Sequence, residues 1–109
     1  MTVKELQSAL SLTAFSAADE EREITGGYAG DLLSWVMGRA EAGEAWITIM
    51  SNQNIVAVAA LTDVAVIILA EDVQPDAGVA ETAMQRGINL YGSSLSTFEL
   101  SAKIGALLS

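Results

Sequence analysis

Residues Ala45–Leu69 read AWITIMSNQNIVAVAALTDVAVIIL, and the fold turns on how this stretch is parsed. Its two ends, Ala45–Met50 (AWITIM) and Val64–Leu69 (VAVIIL), are short apolar runs rich in β-branched residues and bounded by polar or turn-forming neighbours. Such runs mark strands buried on both faces, and strands of that kind belong to parallel sheets. Parallel neighbours need a crossover of about a dozen residues between them. The segment from Ser51 to Asp63 has that length. A helix over Gln53–Leu61 is therefore expected, although Ile55, Val56 and Val58 favour strand by propensity.

Working outward, the same alternation continues. Pro75-Asp76 announces a further helix with Asp76 as its cap. Val79, Ala80, Ala83 and Met84 line one face, and Gly87 stops it. Ile88–Tyr91 reads as a short strand. Ser96-Thr97-Phe98-Glu99 is a capping box, flanked by Leu95 and Leu100 in the positions of a hydrophobic staple, and a helix runs on to about Leu107. Toward the N-terminus, Thr2-Val3-Lys4-Glu5 is a second capping box that opens a helix over Val3–Leu10. Leu12–Phe15 is a short strand, and Ala17–Glu23 is a charged loop. Gly26-Gly27 reads as a turn. It leads into a helix from Ala29 with Leu32, Leu33, Val36, Met37 and Ala40 on one face and Asp31 in its first turn. Gly43 is the expected stop. The order strand, helix, strand, helix, strand, helix predicts a single α/β domain over residues 1–109, a small three-layer sandwich with a mainly parallel sheet flanked by helices.

Composition narrows the chemistry. The chain has 109 residues, 51% hydrophobic and 17% charged, enough to build a core. It has no Cys and no His, so thiolate nucleophiles, imidazole bases, disulfides and zinc fingers are ruled out. Five Lys and Arg stand against 14 Asp and Glu, a formal charge of −9. Phosphate backbones and anionic lipid surfaces repel such a chain, so neither nucleic acid nor membrane is an expected partner. The opening MTVKELQSAL lacks the basic start and apolar run of a signal peptide. The most apolar stretch, Ile55–Ala70, is shorter than a membrane span and carries Thr62 and Asp63. A cytoplasmic location is expected.

In open parallel sheets, ligands bind beyond the carboxyl ends of the strands. Three segments are expected to converge there: Thr25-Gly26-Gly27-Tyr28, Ser51-Asn52-Gln53-Asn54, and Gly92-Ser93-Ser94. Thr25, Gly26, Gly27, Tyr28, Asn52, Asn54, Ser93 and Ser94 are the candidate ligand-binding residues, offering amides and hydroxyls to a small anionic or polar ligand. The same residue types serve as caps and turns, and no Lys or Arg lies among them. Tyr91 is placed at the edge of this cradle. There is no GxxxxGK[ST] loop, and no base to activate a serine. An enzyme reading leaves only Asp31 as a base, with no charge clamp. Glu71-Asp72 with Asp76 is the one candidate oxygen cluster for a metal. No cofactor is expected.

The stretch Glu21–Ser34, containing Thr25-Gly26-Gly27-Tyr28-Ala29-Gly30-Asp31-Leu32-Leu33, resembles the signature region of the DRTGG-domain family. Glu23 and Ile24 stand where that family has Asp and Arg. Trp46-Ile47-Thr48-Ile49, Gln53–Ala59 and Leu95–Leu100 are similar to stand-alone members, so that the resemblance covers about Val3 to Leu107. It implies a small α/β domain similar to the N-terminal domain of HPr kinase/phosphorylase. Such domains also accompany CBS domains in regulated pyrophosphatases and occur beside phosphotransacetylase domains, as accessory modules rather than reaction centres. The kinase chemistry belongs to a P-loop domain whose motif this sequence lacks. The expected function is thus a non-catalytic regulatory or protein-interaction module, homodimeric through self-association or docked on a protein partner. Trp35, Val36 and the last helix are the expected contact residues. The alternative is a small-ligand sensor, for a nucleotide or carboxylate metabolite.

Overall fold

In the computed structural model, which describes Met1–Ser109, five strands form one sheet in the spatial order Thr13–Ser16, Leu90–Gly92, Val66–Leu69, Glu44–Thr48, Gly26–Ala29. The strands are β1 (Thr13–Ser16), β2 (Gly26–Ala29), β3 (Glu44–Thr48), β4 (Val66–Leu69) and β5 (Leu90–Gly92). The helices are α1 (Val3–Leu10), α2 (Leu33–Arg39), α3 (Asn54–Thr62), α4 (Val79–Gln85) and α5 (Thr97–Leu108). β2, β3, β4 and β5 are parallel neighbours, and β1 closes the sheet antiparallel to β5. The expected three-layer α/β sandwich is present.

Alternation along the buried strands divides the core into two halves. Ala45 and Ile47 of β3, Val66 and Ile68 of β4 and Tyr91 of β5 pack with Val3 and Leu6 of α1 and Leu100 and Ile104 of α5. Trp46, Ile67, Leu69 and Leu90 point the other way, against Val36 of α2, Ile55, Val56, Val58 and Ala59 of α3, and Val79 and Ala83 of α4. α3 confirms the crossover argument over propensity. Its β-branched residues bury against the sheet, and burial outweighs the few tenths of a kcal/mol per residue that separate Val and Ile from better helix formers.

Several local expectations change. Gly26-Gly27 is not a turn but the start of edge strand β2, in register with Glu44 and Ala45. Ladder pairing with β3 holds the backbone extended there, and a sheet edge asks little of side chains. The next helix starts at Leu33 rather than Ala29 and ends at Arg39, before Gly43. Gly43 has φ +85° in the turn that enters β3, where an added Cβ would sit 2.6 Å from Thr25 Oγ1. Asp31 lies outside the helix. Its Oδ1 accepts from Thr48 Oγ1 at 2.8 Å and from the Ile49 amide at 2.9 Å, tying the β2–α2 link to the end of β3. Trp46 Nε1 donates to the Gly30 carbonyl at 2.9 Å, securing the same link. Met37, expected inward, is exposed. α4 starts at Val79 with Gly78 as its cap, and the Asp76 carboxylate instead accepts from Ser51 Oγ at 2.8 Å.

The two sheet edges differ. β1 carries an irregularity between Ala14 and Ser16 that breaks its register with β5. β2 pairs with β3 without interruption from Gly26 to Ala29, and its other side pairs with no strand.

Candidate functional site

β2, β3 and β4 are followed by α2, α3 and α4, which all pack on one face of the sheet. The chain leaving β5 passes instead to α5 on the opposite face. β4 and β5 are adjacent, so their carboxyl ends send the chain to opposite sides. An open sheet forms a crevice at such a point, because no connection bridges the gap between the two departing segments. The structure has a groove there of about 410 Å³, lined by Asp72, Val73 and Gln74 after β4 and by Gly92, Ser93, Ser94 and Leu95 at and after β5. The antiparallel return of β1 brings Ser11, Thr13 and Phe15 to its rim, with Leu10 from the end of α1 and Lys103 from α5.

The walls are fixed by backbone chemistry. The Glu71 amide donates to the Leu95 carbonyl and the Asp72 amide to the Ser93 carbonyl, each at 2.9 Å, so the two loops hold one another. Glu71 and Asp72 both take left-handed backbone angles, φ 60° and 61°, as does Ser11 at φ 53°. Non-glycine residues pay for that conformation, and three of the four in the chain lie at this groove or next to it. Gly92 is required for a different reason. A Cβ there would lie 2.6 Å from Phe15 Cε2, so the absence of a side chain lets the ring lie against the β5 backbone.

The expected cradle does not assemble as one site. β2 runs parallel to β3 and starts beside Glu44, so Thr25 and Gly26 lie at the amino end of the sheet, away from the carboxyl-end loops. The Thr25 amide donates to the Gly43 carbonyl at 2.9 Å. Gly27 and Tyr28 line a separate apolar groove of about 310 Å³ between β2 and α5, with Ile47, Ile104 and Leu108. Asn52 Oδ1 accepts from the Asn54 amide at 2.9 Å, closing a local turn at the start of α3. Neither asparagine lines a cavity. Of the eight candidates, Ser93 and Ser94 lie in the crevice. Glu71, Asp72 and Asp76 do not gather into a metal site, and no three His, Cys, Asp or Glu side chains do so anywhere in the chain.

Tyr91, expected at the rim, is buried on the α1 and α5 side, where its hydroxyl finds no hydrogen-bond partner. Burial first, and then the Glu20 charge, push its pKa above the usual tyrosine value. Lys103, Thr13, Phe15 and Gln74 escaped the sequence reading. Lys103 carries no signal beyond an exposed helix position. The placement of Thr13 and Phe15 depends on a strand pairing that spans most of the chain. A third cavity, about 220 Å³ at the amino end of the sheet, holds Arg22, Asp63, Arg86 and Asn89. Arg22 is already bound there, through Nη1 to the Asp63 carboxylate at 3.1 Å and Nη2 to the Asp63 carbonyl at 2.9 Å.

Among solved structures, the chain is similar to the CBS and DRTGG domains of the regulatory region of Clostridium perfringens pyrophosphatase, complexed with the activator diadenosine tetraphosphate. The TM-score is 0.69 at 18% identity, over 93% of this chain and 44% of that one. This chain therefore spans less than half the length of its structural neighbour, and the likeness is one of fold. No family model and no curated protein matches the chain. The fold is DRTGG-like, as the sequence resemblance implied.

Proposed function

We propose that this chain is a non-catalytic regulatory module that senses a small anionic ligand in the β4–β5 crevice and passes its occupancy on by docking. The crevice carries the reading. It sits at the one place where adjacent parallel strands send the chain to opposite faces, and its walls combine apolar side chains with hydroxyls and one lysine. The fold likeness supports the regulatory part, since the neighbour is a regulatory region that binds a nucleotide activator. Nucleotides and carboxylate metabolites are the ligand classes to test. Docking takes place on α2, either on a second copy or on a protein partner. Leu32 at its N-cap and Trp35, three residues on and on the same side of the helix, are 59% and 53% exposed.

A thermal-shift panel of nucleotides and central carboxylates tests the sensing half. A ligand present at a hundred times its dissociation constant adds about 2.7 kcal/mol of stability, a rise of about 10 °C in Tm for a domain of this size. Ser94→Trp fills the crevice and is expected to abolish that rise while leaving the far-UV circular dichroism unchanged. A panel in which no compound raises Tm, or a rise that survives Ser94→Trp, overturns the crevice as the sensing site.

A further inference from the structure

The charges and apolar walls of the crevice define what it accepts, granted the sensing reading above. Lys103 is its one cation and Asp72 its one anion. Neither is in an ion pair; the two ion pairs of the chain join the N-terminal ammonium to Glu23 and Arg22 to Asp63. The Asp72 carboxylate accepts no hydrogen bond from the protein, and the hydroxyls of Ser11, Thr13 and Ser94 make none. Leu10, Phe15 and Leu95 supply an apolar wall beside these polar groups.

We infer that the crevice is built for a small amphipathic acid. It takes one carboxylate or phosphomonoester group on Lys103, a hydroxyl or amino group toward Asp72, and a ring or short aliphatic body against Phe15. One lysine neutralises one anionic group. A polyphosphate would bring further negative charge into a groove that also holds Asp72, on a chain with formal charge −9, with no second cation to meet it. The site thus selects singly headed acids over nucleoside di- and triphosphates. Volume agrees, since about 410 Å³ is near the lower end of small-molecule pockets.

Titration calorimetry with matched probes tests this on the full chain. AMP, adenosine and ATP vary the charge on one body, and phenyllactate and phenyllactamide do the same for a carboxylate. The expected order is AMP over adenosine and over ATP, or phenyllactate over its amide; the pair that binds identifies which anionic group is read. Lys103→Gln weakens the acid about tenfold or more and leaves the neutral analogue unchanged, because a charge-assisted contact contributes about 1.5–3 kcal/mol. Lys103→Arg restores binding. Asp72→Asn, which keeps a residue tolerant of left-handed angles, improves ATP relative to AMP. Acid binding unaffected by Lys103→Gln overturns this inference and leaves the sensing reading standing, whereas equal binding of acid and neutral analogue overturns this inference and the anionic part of that reading with it. A metabolite panel whose only hits are polyphosphates does the same. Silence from every probe and from the whole panel overturns both.

Discussion

The Tyr91 side chain illustrates how one residue can serve packing at a polar cost. Its ring fills the core between the sheet and the α1 and α5 layer, yet its hydroxyl is buried without a partner. An unmade hydrogen bond costs more than a made one contributes, so deleting the hydroxyl is favourable where the ring is kept. Tyr91→Phe is expected to raise unfolding stability by about 1 kcal/mol in urea titrations, with an unchanged m value. The same burial holds the Tyr91 pKa above its ordinary 10.0. Above that pH the unfolded chain gives up the phenolic proton while the folded one retains it. The unfolded state then binds fewer protons, and stability falls as pH rises. Tyr91→Phe removes that contribution to the alkaline limb, and an identical slope in wild type and variant above pH 10.0 would contradict the assignment.

Helices α1 and α5 are held at their starts by reciprocal caps. Thr2 Oγ1 accepts from the Glu5 amide at 3.1 Å while Glu5 Oε1 accepts from the Thr2 amide at 2.8 Å. Ser96 and Glu99 repeat the arrangement at α5. The Thr2 amide, followed by its hydroxyl, holds the Glu5 pKa below the ordinary value. Ser96→Ala is expected to cost about 1 kcal/mol, because one α5 amide loses its acceptor, and a loss near zero in denaturant unfolding would show the cap idle. These caps, both apolar strands and α3 were legible because each is specified by its own residues or by spacing to the next element. β2 was not, since nothing local marks Gly26-Gly27 as a strand; its conformation is set by pairing with β3. Nor was the β1 rim of the crevice, where Thr13 meets Gly92 across most of the chain. The candidate site was therefore legible only at the β5 end. Ser93 and Ser94 follow from the rule about strand ends, but Phe15 needed the long-range pairing of β1 with β5 and Lys103 the packing of α5.

For the whole molecule, α2 is the helix that buries the fewest residues. It buries Val36 completely, correcting the expectation that this residue was free for contact, while Trp35 stays outside with the Arg39 guanidinium stacked 3.8 Å over its ring. The stacked arginine covers one face of the indole and sets a positive charge beside it on a chain that is otherwise acidic. Docking through this surface predicts that the chain sediments as a dimer at micromolar concentration and that Trp35→Glu sediments as a monomer with an unchanged circular dichroism spectrum. A wild-type monomer that captures no partner, or a Trp35→Glu dimer, removes α2 from the docking role. Loss of the fold in Trp35→Glu is not expected, because the side chain lies outside both cores.

The asymmetry of the sheet's rims limits how such molecules can join by strand addition. The register shift between Ala14 and Ser16 makes one rim a poor template, whereas the uninterrupted run from Gly26 to Ala29 leaves the other available. A sheet with a single adhesive rim exhausts it on meeting its twin, so strand addition would end in closed pairs and could not by itself propagate into filaments.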